Sequence, residues 1–155
     1  MSKAFLAVSI AIVTAAIVIG CGGGDDTGDS STAALTKAEF VKQADAICSD
    51  ATQQSETEAE EFAEENDFTL EKADEEQLEE AISAVLVPSL NQQAEGLSAL
   101  GAPEGEEEQV EAIVTSLEDA ATEIEDDPGA LLKGEALSEP SQLAAAYGLK
   151  VCGAQ

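Results

Sequence analysis

The chain has 155 residues, of which 33 are Asp or Glu and six are basic, so its formal net charge is −27. All six basic residues are lysines, and the sequence contains no His and no Trp. An acidic surface of this kind repels nucleic-acid phosphates, because binding to them depends on Lys and Arg displacing counterions. We therefore expect no nucleic-acid partner. Most of the charge is interpreted as a solvated acidic surface, which also fits adaptation to a high-salt habitat.

The first twenty residues have the composition of an export signal. Lys3 supplies a short positive region, and residues 4–19 form an uncharged apolar run. This run is shorter than the roughly 20 residues that a permanent membrane-spanning helix needs. It ends at Gly20, and polar, glycine-rich sequence follows. The pattern predicts that residues 1–20 are a cleaved signal peptide.

The four residues Val18-Ile19-Gly20-Cys21 resemble a lipobox, the processing signal of bacterial lipoproteins. The resemblance implies cleavage before Cys21, lipid on its thiol and extracytoplasmic anchoring to the cell membrane. Buried acyl chains contribute roughly 0.8 kcal/mol per CH2 to such anchoring. An ordinary cleaved signal, or an uncleaved anchor with a chance cysteine, is the alternative.

Residues 21–34 are predicted to be the lipidated cysteine and a flexible linker. Residues 22–34 consist of Gly, Asp, Ser, Thr and Ala only. A coil of this length spans roughly 20 Å. We expect residues 35–155 to form an acidic domain that lies close to the membrane without resting on it.

The acidic domain begins with helical signals. Thr36 and Glu39 have the spacing of a capping box, and Leu35 and Phe40 occupy the flanking staple positions. Apolar residues then recur at intervals of three and four, at Phe40, Ala44, Ile47, Cys48 and Ala51. The acidic continuation over residues 53–65 is predicted to be more exposed, or to fray, before a break at 65–69.

Further helical segments follow the break. One starts near Leu70 and contains Pro88, which predicts a kinked helix or two short helices, and turn residues end it at 101–105. Another covers about 106–125. Its first turn contains glutamates, whose negative charge is stabilised there by the helix dipole.

The end of the chain is predicted to be helical as well. A short connector surrounds residues 130–132, and a last helix starts near Pro140 and ends with Gly148 as a left-handed cap. Leu149 to Cys152 is a short candidate strand. The fold class is predicted to be all-α, a small bundle of about four helices closed by one disulfide.

The disulfide prediction concerns the two cysteines that remain after Cys21. Cys48 lies on the apolar face of the first helix, and Cys152 lies just past the last one. Outside the cytoplasm such a pair is expected to form a disulfide. Free buried thiols and a redox or metal role are the alternatives, although two cysteines without His do not make a zinc site.

Several segments together resemble a family of small, uncharacterised actinobacterial-type secreted lipoproteins. They are residues 40–48, Pro88, the Leu97 and Leu100 pair before Pro103, and residues 146–152. The resemblance covers most of the chain after the linker. It implies a disulfide-closed helical domain at the cell surface, and it implies no activity. The absence of Arg departs from what such a protein usually shows.

The sequence offers no pattern for catalysis. It has no His, no motif that pairs Ser with Lys, and no phosphate-binding loop before a helix. We predict no enzymatic activity, no catalytic residue and no cofactor.

The favoured function is a non-enzymatic binding or structural module of the cell envelope. Its expected partners are the membrane, through lipid on Cys21, and an envelope protein or a small apolar ligand. A kink at Pro88 could open a groove between helices, although a kink that merely fits the bundle is the more common outcome. The alternative is weak binding of Ca²⁺ without a defined metal site, since no acidic run matches an EF-hand loop; an envelope enzyme ranks below it. The acidic runs are 25–26, 58–61, 74–76, 106–108 and 125–127.

Overall fold

The computed structural model describes residues 34–134 and 136–154. The predicted signal peptide, Cys21 and all of the predicted linker except Ala34 lie outside the described residues. Within these ranges the regular structure is entirely helical, which confirms the predicted fold class.

The first helix, α1, covers Lys37–Glu65. The Thr36 hydroxyl accepts the backbone N–H of Glu39 at 3.3 Å, and the Glu39 carboxylate accepts the N–H of Thr36 at 3.0 Å. These bonds confirm the predicted capping box. Hydrogen bonding to Thr36 also lowers the pKa of Glu39. Phe40 is buried and Leu35 packs against the core, as the staple positions predict.

The acidic half of α1 is helical throughout and does not fray. It is largely exposed, with Ala63 as its buried member. Two residues after the end of the helix, Asp67 has a positive φ of 60°. The Phe68 N–H then bonds to the Ala63 carbonyl at 2.9 Å, and the rings of Phe62 and Phe68 meet edge-on at 6.3 Å. The predicted break is confirmed.

Residues 70–100, which we call the second arm, contain a wide helical turn just before Pro88. The Val87 N–H bonds to the carbonyl of Ile82, five residues back, so the turn is of the π type. Such a turn accommodates the hydrogen bond that proline cannot make. The arm consists of a 3₁₀ turn at Leu70–Lys72, α2 at Glu75–Ala81, a π turn at Ile82–Leu86 and α3 at Val87–Leu100.

The remaining helices confirm the predicted order. They are α4 at Glu107–Asp126, α5 at Gly129–Leu132, α6 at Ser138–Tyr147 and a 3₁₀ turn at Cys152–Ala154. Helix α6 begins two residues before Pro140, because proline fits the first turn of a helix. Gly148 has a φ of 113°, and the Leu149 N–H reaches the Ala144 carbonyl at 2.9 Å. The predicted left-handed cap is therefore present.

The prediction of a short strand at Leu149 to Cys152 is wrong. The segment bends, and Cys152 starts the last 3₁₀ turn. Residues 34–134 and 136–154 contain no strand with which the segment could pair. Its exposed backbone N–H groups bond to a side chain instead, as described below.

The core lies where α3 packs between α1 and α4, with α6 against α4. The largest fully buried apolar side chains come from α1, α3, α4 and the segment that follows the α6 cap: Phe40, Leu90, Leu97, Ile124 and Leu149. Helices α1 and α3 approach closely at Gly96, where an added Cβ would lie 3.0 Å from Cγ2 of Ile47. With α5 as a one-turn connector, the arrangement matches the predicted bundle of about four helices.

Cys48 and Cys152 form the predicted disulfide. Their sulfur atoms are 1.99 Å apart, their Cα atoms are 5.3 Å apart, and they are separated by 104 residues in sequence. The bond joins the middle of α1 to the end of the chain, and both cysteines are buried in the core cluster.

Candidate functional site

An apolar groove of about 380 Å³ lies between the acidic half of α1 and the second arm. We call it the α1–α2 groove. Its apolar wall belongs to the second arm and carries large aliphatic side chains, namely Leu70, Leu78, Ile82, Val85 and Leu86. The α1 wall carries smaller or polar side chains, namely Ser55, Glu56, Ala59 and Glu60.

The sequence explains why the space stays open. Leu78, Ile82 and Leu86 recur at intervals of four, so α2 and the π turn place them along one side of the arm. The α1 wall opposite them has the small side chain of Ala59, which leaves the space unfilled. All three aliphatic side chains are half-buried, which leaves part of each accessible from the groove.

Both charged residues of the groove are glutamates. Glu56 and Glu60 lie one turn apart on α1, roughly 6 Å along the helix axis, and both are exposed. Within residues 34–134 and 136–154, neither carboxylate has a hydrogen-bond or ion-pair partner. The groove therefore combines an apolar wall with an unneutralised negative edge.

A second recess of about 370 Å³ continues the groove toward the end of α1. It shares Glu60 and Leu70 with the first recess and adds Phe68 and Lys72. Because Lys72 is basic, the second recess is less negative than its acidic neighbours alone would make it. With Glu60, Glu64 and Glu71 beside Lys72, it has the same net charge as the first recess, which has Glu56 and Glu60. The aliphatic wall is what distinguishes the first recess.

A side-chain clamp secures the end of the chain beside the disulfide. The carboxylate of Asp45 accepts the backbone N–H of Lys150 at 2.9 Å and that of Val151 at 2.8 Å. Asp45 lies three residues before Cys48, and Val151 lies one residue before Cys152. Two of the segments that carry the lipoprotein resemblance thus meet here in space.

A polar cluster joins three helix ends on another side of the bundle. The Tyr147 hydroxyl donates to the Glu106 carboxylate, and Lys37 Nζ lies 3.3 Å from Glu106 Oε1. Lys37 also lies 4.1 Å from the centre of the Tyr147 ring, which meets Phe40 edge-on. The hydrogen bond from Tyr147 lowers the pKa of Glu106, whereas burial and this carboxylate raise the pKa of Tyr147. The cluster fixes the starts of α1 and α4 to the end of α6.

The structure describes two of the three cysteines that were predicted as site residues. Cys48 and Cys152 come together as a disulfide, whereas Cys21 lies outside the described residues. In the described part of the chain, no three Cys, Asp or Glu side chains converge as a metal centre requires. Among the same residues, no helix is both long and apolar enough to cross a bilayer.

Sequence reasoning did not identify the residues that line the groove as a site. The interval of four between Glu56 and Glu60 was available as a signal, as was the same interval in Leu78, Ile82 and Leu86. These patterns also occur in ordinary amphipathic helices, so their meaning depends on which helices face each other.

No protein-family model, curated protein or solved structure matches the chain. Its function is therefore inferred from its residues and their arrangement.

Proposed function

We propose that the chain is a lipid-anchored extracytoplasmic binding module that holds a small apolar ligand in the α1–α2 groove. The observation that carries the proposal is the aliphatic wall of Leu70, Leu78, Ile82 and Leu86, which stays half-buried beside about 380 Å³ of open space. Pockets of roughly 300–1,000 Å³ with mostly apolar linings are typical of small-ligand sites.

The apolar wall gives the ligand a source of affinity. Leu70 and Leu78 contact the groove without belonging to the main core cluster. Removing apolar surface from water contributes roughly 25 cal/mol per Å². A ligand that covers these side chains gains this contribution without displacing any part of the core.

The anchor is supported by the lipobox resemblance at Val18 to Cys21. The groove begins near Ser55, roughly 27 Å along α1 from Lys37. An anchored domain of this shape holds its ligand site away from the helix end to which the linker connects.

Binding accounts for the groove better than catalysis does. The hydroxyl of Ser55 donates to the Thr52 carbonyl at 3.0 Å, so it is engaged within its own helix. The other polar lining residues are Glu56 and Glu60, and the lining contains no Cys, Lys or Tyr that could act with them.

The test uses residues 21–155 with the substitution Cys21→Ser, so that the chain stays in solution. The neutral fluorophore N-phenyl-1-naphthylamine is titrated into this protein, and its emission reports transfer to an apolar site. We expect saturable binding with one site per chain. The paired variant Leu70→Ser/Leu78→Ser should weaken binding several-fold, because it removes apolar area from the wall.

The matched control is Leu132→Ser, since Leu132 is 47 % exposed and lies away from the groove lining. This control should bind the fluorophore as the parent does. Circular dichroism before titration verifies that each variant is folded. An emission rise without saturation, or equal binding by the control and the groove variant, would contradict the proposal.

A further inference from the structure

The α1–α2 groove has an apolar side and a negative side, and each selects for a different part of a ligand. We infer that its ligand is a lipophilic cation: a small molecule with an apolar body and an adjacent ammonium group. This inference rests on the proposed function, because it specifies the ligand class of the same groove.

The aliphatic wall positions the apolar body. Leu78, Ile82 and Leu86 follow one another at intervals of four, so together they cover roughly 12 Å along the arm. An extended alkyl chain lying along this aliphatic wall contacts all three side chains. The small Ala59 on the facing wall leaves the room for it.

The two glutamates position the cation. Glu56 and Glu60 flank the same groove, and neither carboxylate is neutralised within the described residues. An ammonium group placed between them interacts with two negative charges at once. The adjoining recess has the same net charge, from Glu60, Glu64 and Glu71 beside Lys72, so charge alone does not choose between the two recesses. The aliphatic wall decides, because an apolar body lying on it brings the ammonium group beside Glu56 and Glu60.

The two interactions contribute differently. Exposed ion pairs add little affinity, whereas buried apolar area supplies most of it. Charge therefore decides which amphiphile is accepted. An anionic amphiphile with the same tail would place its head beside Glu56 and Glu60, and this repulsion disfavours fatty acids and alkyl sulfates.

The experiment compares three probes that have the same ten-carbon tail. They are decyltrimethylammonium, neutral decyldimethylamine N-oxide at pH 7.5, and decyl sulfate, each below its critical micelle concentration. Calorimetric titration into residues 21–155 with Cys21→Ser, at physiological salt, gives their affinities. We expect the cation to bind about five- to tenfold more tightly than the neutral probe, and the anion to bind most weakly.

The deciding variant is Glu56→Gln/Glu60→Gln, which keeps the shape of the groove and removes its charges. Its matched control is Glu95→Gln/Glu118→Gln, which changes the net charge equally at exposed positions outside the groove. We expect the groove variant to bind the cation and the neutral probe equally. The control should keep the preference for the cation.

The outcomes separate the two proposals. Equal binding of the cationic and neutral probes by the parent protein would overturn the inference and leave the apolar groove function standing. An equal loss of preference in both variants would also overturn the inference, because it would show diffuse attraction to an acidic chain. Failure of every probe to bind saturably would overturn the proposed function itself.

Discussion

The carboxylate of Asp45 accepts the backbone N–H of Val151 at 2.8 Å and thereby fixes the last segment of the chain to the first helix. The same carboxylate accepts the N–H of Lys150 at 2.9 Å. The segment has no neighbouring strand in the described residues to satisfy these donors. Asp45 therefore supplies the hydrogen bonds that a sheet would otherwise provide, and it does so beside the disulfide.

Substituting Asp45→Ala should destabilise the fold by about 1–3 kcal/mol, because it leaves two backbone donors without their charged acceptor. Asp45→Asn should cost less, since an amide oxygen can still accept. Denaturant unfolding measures both effects, and amide exchange at Lys150 and Val151 should accelerate. The control is Asp50→Ala, at an exposed position on the same helix. Equal effects at positions 45 and 50 would contradict the clamp.

Removing the disulfide with Cys48→Ala/Cys152→Ala should lower the free energy of unfolding by roughly 4–5 kcal/mol, since the bond closes a loop of 104 residues. Alanine is preferred to serine because Cys48 is fully buried. Thermal unfolding with and without reductant gives the measurement. The double variant should be insensitive to reductant, whereas the parent protein should be destabilised by it. Two free thiols in the native parent protein would disprove the bond.

Leu90→Ala should destabilise the bundle by about 2–5 kcal/mol, because it creates a cavity where α3 meets the core. Leu90 is 0 % exposed, whereas Leu132 is 47 % exposed. Leu132→Ala is therefore the matched control and should change stability little. Denaturant midpoints at constant slope measure both variants. Similar losses at the two positions would contradict the assignment of the core.

The Tyr147 and Glu106 pair should make stability depend on pH at both extremes. The folded pKa of Glu106 is lowered from 4.5, so its contribution is present above this value and is lost as pH falls through the folded pKa. The folded pKa of Tyr147 is raised from 10.0, so its contribution is present below pH 10 and is lost as pH rises.

The variant Tyr147→Phe keeps the ring and removes the hydroxyl. The stability difference between parent and variant should be constant near neutral pH. It should shrink below about pH 4.5 and above about pH 10. Urea unfolding across this range measures the difference. A difference that is independent of pH would show that the hydroxyl contributes nothing through Glu106.

The elements of the fold were predictable where local signals are strong. Thr36 with Glu39, the break after Glu65 and the cap at Gly148 all act within a few residues, so the sequence alone contains them. The disulfide was also predictable, because the chain has only two cysteines after Cys21.

The site was less predictable because it depends on contacts between distant segments. The groove exists only where Ala59 faces the aliphatic wall that contains Ile82, and these two residues are more than twenty positions apart in the sequence. Pro88 predicted a disturbance of the helix without specifying a π turn. The role of Asp45 depends on a segment 106 residues away. Interactions over such separations leave no periodic signal in the chain.

Anchoring through Cys21 is the central claim of the proposed function, and the mass of the N-terminal peptide tests it most directly. The chain is expressed in a bacterial host, recovered from its membranes and digested, and the peptide that begins at position 21 is analysed by mass spectrometry. We predict a new N-terminus at Cys21 that carries a diacylglyceryl group. Cys21→Ser should abolish both the modification and the membrane association. An unmodified Cys21, or a chain that retains residues 1–20, would contradict the claim.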